Sequence, residues 1–519
     1  MERVPWGIIG TGAIASTFAR AVSKSSNGRL SAVASRSAER ASGFSEKYGV
    51  PVAYSSYEEL IDDPDIQAVY ISTPHTRHAA WTIPALEAGK HVLCEKPLTV
   101  SHGEAMAVVE CARESGMLLA EAFMYRLHPQ TSELLRLLES GEIGEVRLIR
   151  ASFGFGGDNP PDSASRLFDP ELAGGAIMDV GCYPVSMARL VAGAARREAV
   201  EPTRVTGAAH LGETAVDEWS SAVLHFDGGL LAECSTAVRL TLDNSLIIFG
   251  SKGRIELPNP WQADREQAHT GVIIVRVGGS ERRVEVPADR SSFTYEVEAF
   301  SRAVLAGEDR LPYPAMSPEE SLGNALVLES WRDAVGLRFP TEEPEGNRPV
   351  RGTLSRRPSP PVEMQYGSVP GLDKAVSRFV FGCDNQRRYS HGAAVWDDFF
   401  ERGGTAFDTS WVYGGGLPER LLGAWIADRG VREELVVISK GAHTPRCYPD
   451  LLRIDFEESL DRMGLEYADI YLMHRDNPDV RVGEFVDALD ELCSEGLIRG
   501  AVGGSNWSPE RFEAARSYA

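Results

Sequence analysis

Glu95-Lys96-Pro97 closes the apolar run His91-Val92-Leu93-Cys94, and far upstream stands Gly10-Thr11-Gly12-Ala13-Ile14-Ala15. A short apolar run that ends in a charge reads as a buried strand delivering a side chain to the rim of a parallel sheet. A strand followed by Gly-x-Gly-x-x-Ala reads as a strand delivering a helix N-terminus to a pyrophosphate. Gly10 permits the tight turn, Gly12 lets backbone amides approach, and Ala15 lets the helix pack close, with Ala13 and Ile14 in its first turn. Together these predict a dinucleotide with a cationic catalytic side chain beside it. The end of the second strand carries Ser35-Arg36-Ser37 and no acid. An arginine flanked by hydroxyls suits a 2′-phosphate, so NADP is expected, with NAD the alternative.

These groups need a scaffold. Val4–Ile9, Leu30–Ser35, Ala68–Ser72 and His91–Cys94 are strand-like, with helical spacing between them, as in Ile14, Phe18 and Val22. That alternation predicts a doubly wound parallel α/β sheet over residues 1–125. The next segment, 126–340, changes character. Glu145–Ala151, Ser221–Phe226 and Leu230–Thr236 alternate apolar and polar residues, and Asp227-Gly228-Gly229 is a hairpin turn. An α+β domain with an open, largely antiparallel sheet is expected, with helices near 293–306 and 318–335. Residues 341–361, rich in proline, arginine and serine, read as a linker. Strand–helix alternation returns over 362–519, with strands at Arg378–Gly382, Thr405–Asp408, Leu435–Ser439, Asp469–Met473 and Gly500–Gly504.

Length and charge bound the function. A chain of 519 residues suggests several domains. A net charge of -22 argues against a nucleic acid or an acidic membrane face as partner. No apolar run approaches the roughly 18 residues of a membrane span, and the glycine-broken N-terminus reads as strand and turn, not as a signal peptide. Seven scattered cysteines form no disulfide framework and suit a reducing cytoplasm. No ligand spacing supports a metal at His443 and His474.

Gly10-x-Gly12-x-x-Ala15, Thr73-Pro74-His75, the run Ala88 to Pro97 and Glu121-Ala122-Phe123-Met124-Tyr125-Arg126 resemble the Gfo/Idh/MocA oxidoreductases over about the first 340 residues. The dihydrodiol dehydrogenase and NADP-linked D-xylose dehydrogenase branch is the most similar. The resemblance implies a Rossmann domain paired with an open-faced sheet domain, and a dimer or tetramer formed through that face. It also points to Gly174–Tyr183, where Asp179 is followed four residues later by Tyr183, a position that is histidine in the sugar and inositol enzymes. Residues four apart on a helix share a face, so both can aim into one cleft. The expected chemistry is hydride transfer between NADP and a CH–OH carbon of a sugar, polyol or cyclic diol. Lys96, whose pKa should fall beside a positive nicotinamide, and Tyr183 move the proton, and Asp179 orients them or holds a substrate hydroxyl. Thr73, Pro74 and His75 are expected to line the nicotinamide, Glu95 to lie near the ribose, and Tyr125 and Arg126 to reach the substrate.

Asp408, Tyr413, Lys440 and His474 stand in this order at or just beyond successive strand ends, as in a (β/α) TIM-barrel active site. They resemble the aldo-keto reductases over 364–519. The resemblance makes Tyr413 the proton donor to a carbonyl, Lys440 the residue that lowers its pKa, Asp408 the partner of Lys440 and His474 the orienting group. It places Ser505 and Asn506 on the nicotinamide carboxamide. About five strand–helix units are present where a closed barrel has eight, so this partial barrel is expected to lack reductase activity of its own. The alternatives are a bifunctional enzyme whose reductase half is completed by further polypeptide, and a non-catalytic NADP-binding sensor or scaffold. A pure binder has no use for Lys96 and Tyr183.

Overall fold

The computed structural model describes residues 2–157, 165–196, 200–261, 270–343, 354 and 363–519. The chain divides into two compact units, Met1–Thr341 and Glu342–Ala519. Most of the expected linker lies outside the described residues.

The first unit contains two sheets. One is parallel and six-stranded, built from β1 (Val4–Ile9), β2 (Gly28–Ala34), β3 (Val52–Tyr54), β4 (Ala68–Ile71), β5 (His91–Glu95) and β6 (Leu119–Ala122), in the order β3-β2-β1-β4-β5-β6. The order reverses between β1 and β4, and a crevice for a ligand opens outside the carboxyl ends of the strands at such a switch point. Every residue of β1, β4 and β6 is buried, as a parallel sheet covered on both faces requires. β3 is too short to stand out from the sequence, and β6 is an apolar run broken by Glu121.

The second sheet has eight strands: β7 (Val146–Gly154), β8 (Arg204–Leu211), β9 (Asp217–His225), β10 (Leu231–Ala237), β11 (Leu246–Gly250), β12 (Gly253–Leu257), β13 (Gly271–Val277) and β14 (Ser280–Val286). Its order is β14-β13-β12-β11-β7-β10-β9-β8, antiparallel except for the β7–β10 pair. The turn Asp227–Gly229 joins β9 to β10, with Gly228 and Gly229 both at positive φ. Ser220, Ala222 and Leu224 of β9 face the core while Trp219 and Ser221 are exposed, which is the alternation of a sheet covered on one side. The helices Cys182–Arg196, Ser292–Ala306 and Pro318–Val335 complete this unit's core, the last two where expected.

The second unit has a two-stranded ladder, β15 (Tyr366–Gly367) and β16 (Val376–Ser377), and a parallel sheet. The sheet runs in chain order through β17 (Val380–Gly382), β18 (Ala406–Asp408), β19 (Val436–Gly441), β20 (Ala468–Met473) and β21 (Ile498–Gly504). A helix follows each of these five strands, and all five match the sequence reading within a few residues.

Candidate active sites

The Gly10–Gly12 turn leaves β1 at the switch point. Gly10 sits at φ +97, and a Cβ there would lie 3.1 Å from the Ser72 carbonyl oxygen, so only glycine fits without strain. Gly12 caps the helix Ala13–Lys24 without a side-chain hydrogen bond, and a Cβ on Gly12 would meet no atom of the described residues within 4 Å. Ala13 is exposed, Ile14 is half-buried, and Ala15 packs fully buried on the sheet. Space, bare backbone amides and a helix N-terminus meet here, as a pyrophosphate requires. Arg36 is exposed just past β2, and the Ser35 hydroxyl accepts from the Ser37 amide at 3.3 Å. Among the described residues the buried Thr73 hydroxyl oxygen, beside Pro74, has no hydrogen-bond partner. An orphaned hydroxyl at a cofactor crevice fits a bound dinucleotide. These residues therefore suit NADP.

Lys96 follows β5. Its ammonium donates to the main-chain carbonyl of Asp179 at 2.6 Å and lies 5.2 Å from the centre of the Tyr183 ring. Glu95 is buried, accepts the Tyr70 hydroxyl, and takes the Lys96 amide at 3.3 Å. Asp179 belongs to a π-helical turn, Ile177–Gly181, that leads into the α-helix holding Tyr183. A uniform α-helix was the expectation. The wider turn still brings both residues to Lys96, and such turns recur at functional sites. Asp217 of β9 anchors its start, accepting from the Ile177 amide at 2.8 Å. Gly175 is obligatory beside it, since a Cβ there would fall 2.1 Å from an Asp217 oxygen. Burial pushes the Asp179 carboxyl up, but Lys96 and Arg166 outweigh it and hold the pKa at about 2. Arg166 binds the carboxylate directly at 2.7 Å while remaining 48% exposed.

The Tyr183 ring is 4% exposed and stands among Phe123, Tyr125, Phe153 and Trp261, with centroids 5.1 to 5.9 Å away. His75 is buried, its Nδ1 3.2 Å from the Ala173 carbonyl, and burial holds it neutral. His78 faces two carbonyl oxygens, that of Pro97 at 2.8 Å and that of Thr73 at 2.9 Å, and so ties the two turns together. Burial pushes it down to about 4, against the pull of both carbonyls, and a neutral ring has one N–H to share between them.

Two expected substrate contacts require correction. Arg126 is fully buried, and its donors go to Tyr125, Ser186, Glu320 and the Pro314 carbonyl. All its N–H groups are engaged inside the protein, so it braces the fold. Tyr125 is also fully buried; its hydroxyl donates to Ser186 at 2.9 Å and its ring backs Tyr183. The sequence reading missed Arg166, His78, Phe153 and Trp261. Arg166 and His78 lie close to recognised motifs. Phe153 and Trp261 arrive from distant segments and carry no local signal.

In the second unit, Lys440 at the end of β19 binds both carboxylate oxygens of Asp408 at the end of β18, and lies 5.1 Å from the Tyr413 ring centre. Burial pushes the Asp408 carboxyl up despite Lys440. His474 follows β20, with its ring 5.7 Å from that of Tyr413 and its Nδ1 2.9 Å from the Ser410 hydroxyl. Burial, Lys440 and His443 drive it down to about 4. Ser505 and the exposed Asn506 follow β21, and the Asn506 amide donates to the His474 carbonyl at 3.0 Å.

Comparison with known proteins agrees with this division. Residues 4–123 match the oxidoreductase family model with an NAD-binding Rossmann fold, residues 131–256 the GFO/IDH/MocA C-terminal domain, and residues 381–519 the aldo/keto reductase family. The chain is 37% identical over 337 residues to an uncharacterized oxidoreductase of Rhizobium meliloti, covering 64% of this chain and 96% of that one. It is 33% identical over 346 residues to a trans-1,2-dihydrobenzene-1,2-diol dehydrogenase of Xenopus laevis, covering 64% and 99%. It is 37% identical over 326 residues to a D-xylose 1-dehydrogenase (NADP(+)) of Haloferax volcanii, covering 63% and 95%. A solved 3-ketoreductase from Actinomadura kijaniata, in complex with NADP and TDP-benzene, aligns with a TM-score of 0.58 at 30% identity, covering 64% and 98%.

Proposed function

The chain belongs to the Gfo/Idh/MocA oxidoreductase family, and from that premise we propose which of its groups act and on what class of substrate. It is an NADP-dependent oxidoreductase that transfers hydride at a CH–OH carbon. NADP⁺ held against the Gly10–Gly12 turn supplies the hydride acceptor. Arg36 and Ser35 would hold its 2′-phosphate, and the Thr73 hydroxyl, Pro74 and His75 would border its nicotinamide end. Tyr183 takes the hydroxyl proton, and the Lys96 ammonium assists it. The arrangement of the Lys96 ammonium beside the Tyr183 ring carries this assignment. A cation against a phenol favours the phenolate, so Lys96 readies Tyr183 as a base. Asp179, fixed as a carboxylate by Lys96 and Arg166, offsets one of those two positive charges.

Phe153, only partly buried beside Tyr183, supports a substrate that offers an apolar face, such as the C–H face of a cyclic sugar or a cyclic diol. The test is the initial rate of NADP⁺ reduction over a panel of aldoses, inositols and cyclic trans-diols, with NAD⁺ in parallel. Lys96→Met should lower kcat/KM by about 10³ while NADPH still binds. Silence across the panel from folded, NADPH-binding protein would overturn the reading. Self-association through the open face of the eight-stranded sheet, where Trp219 is exposed, completes the proposal. A single-chain mass in sedimentation would refute it.

A second reading concerns the other unit. The contact of Lys440 with Asp408 and Tyr413 supports carbonyl reduction at a second cofactor site. Titration with NADPH decides: two equivalents per chain favour it, and one excludes it.

A further inference from the structure

Glu121 lies on β6, directly opposite Cys94 of β5 in the parallel ladder and two strand positions from the Lys96 turn. Its side chain is buried, with the residue 5% exposed. One carboxyl oxygen reaches across to the next turn and accepts the Leu98 amide at 2.8 Å. The other is buried and accepts no well-formed hydrogen bond among the described residues, with the Ser321 hydroxyl facing the carboxyl. The turn Lys96-Pro97-Leu98 is thus gripped at three successive residues: Glu95 holds the Lys96 amide, His78 the Pro97 carbonyl, and Glu121 the Leu98 amide. Glu121 is a costly choice for such a grip. A buried carboxyl with an unpaired oxygen destabilises the fold, and a serine or an amide would reach an N–H at lower cost. Retaining an ionisable acid there points to a task that needs its charge.

We propose that Glu121 is a positioning residue for Lys96, its carboxylate setting the Lys96-Pro97-Leu98 turn so that the ammonium meets Asp179 and Tyr183 in register. This rests on the reading of Lys96 above. An ionised acceptor holds an N–H more tightly than a neutral one, so the grip firms as Glu121 ionises. Burial pushes this carboxyl up to about 7, against the Ser321 hydroxyl, the Leu98 amide, Arg189 and Arg126. The groups facing it are Cys94 on β5, Cys182 and Arg189 on the helix Cys182–Arg196, Arg126 on the turn Met124–Leu127, and Ser321 on the helix Pro318–Val335. Both arginines already serve other partners: Arg189 binds Glu201 and the Glu320 carbonyl, and Arg126 is fully engaged. Both still draw the Glu121 pKa down, but burial outweighs them.

The test compares Glu121→Gln and Glu121→Ala in the full chain, reading kcat, KM and NADPH affinity from pH 5.5 to 9.5, with thermal melts. Gln keeps a weaker acceptor and no ionisation. Its kcat should fall about tenfold, its NADPH affinity should hold within about threefold, and the acid limb of the kcat profile near pH 7 should disappear. Its melting temperature at pH 8 should equal or exceed that of the wild type, because the buried charge is gone. A merely structural role predicts the reverse. Ala should cost about 100-fold in kcat through misplacement of Lys96. If Ala does not fold, Gln alone decides. Wild-type kcat in Gln, or an unchanged acid limb, would overturn the proposal. Lys96→Met separates the two readings. If it is silent, the assignment of Lys96 itself has failed; if it is inactive while Glu121→Gln is normal, only the role of Glu121 has.

Discussion

Replacing Asp179 with Asn tests the electrostatics of the cleft without emptying it. The buried carboxyl is held at about 2 against an ordinary 3.8. Roughly 1.8 units at 1.36 kcal/mol each amount to about 2.4 kcal/mol of native-state stability. The folded pKa is depressed, so this contribution is complete above the unfolded value and disappears as pH falls through the folded one. Lys96 supplies more of it than Arg166, whose half-exposed guanidinium is screened by water. Asn keeps the shape, and Lys96 keeps its bond because it uses the main-chain carbonyl of residue 179. Denaturation of the full chain at pH 7.5 should show the loss in the first unit, recognised as the transition that NADP⁺ raises. With about 2.1 cal/mol/K of unfolding entropy per residue over Met1–Thr341, the shift is roughly 3 °C. The gap between wild type and variant should narrow as pH falls from 4 toward 3. Equal stability at pH 7.5, or a gap that widens on acidification, would refute the account of Asp179 as an anion held by Lys96.

Gly12→Val should leave the fold intact and weaken NADPH binding by at least about tenfold, because the new side chain enters space free of described atoms that the proposed pyrophosphate site needs. Gly10→Ala should instead lower stability by about 1–3 kcal/mol, from its positive φ and the Ser72 carbonyl; calorimetry and NADPH titration of the pair separate the two effects, and indistinguishable behaviour would count against the turn as described. Arg36→Ser should cut kcat/KM with NADP⁺ by about 10–100-fold and spare NAD⁺, the loss of one charge-assisted contact. Equal losses with both cofactors would remove Arg36 from the 2′-phosphate site.

Much of this molecule was written locally. The Gly10–Gly12 turn, the strand ending at Glu95-Lys96-Pro97, the Ser35-Arg36-Ser37 corner and the five strands of the second unit were legible, because each is a short run whose pattern and punctuation answer to backbone sterics and burial alone. Lys96, Asp179 and Tyr183 were legible as a set through motif resemblance, and the helical spacing of the last two survived the π turn. The tertiary structure decided what surrounds them. Arg126 stands in a motif beside the cleft, yet its neighbours from the helix at 182–196 and the segment 314–320 consume every donor it has. Arg166 pairs with Asp179, Phe153 and Trp261 close on Tyr183, and Glu121 reaches Leu98 across a strand ladder. These are contacts between segments far apart in the chain, fixed by register and helix placement, and a linear pattern carries no record of which partner a buried donor or ring will meet.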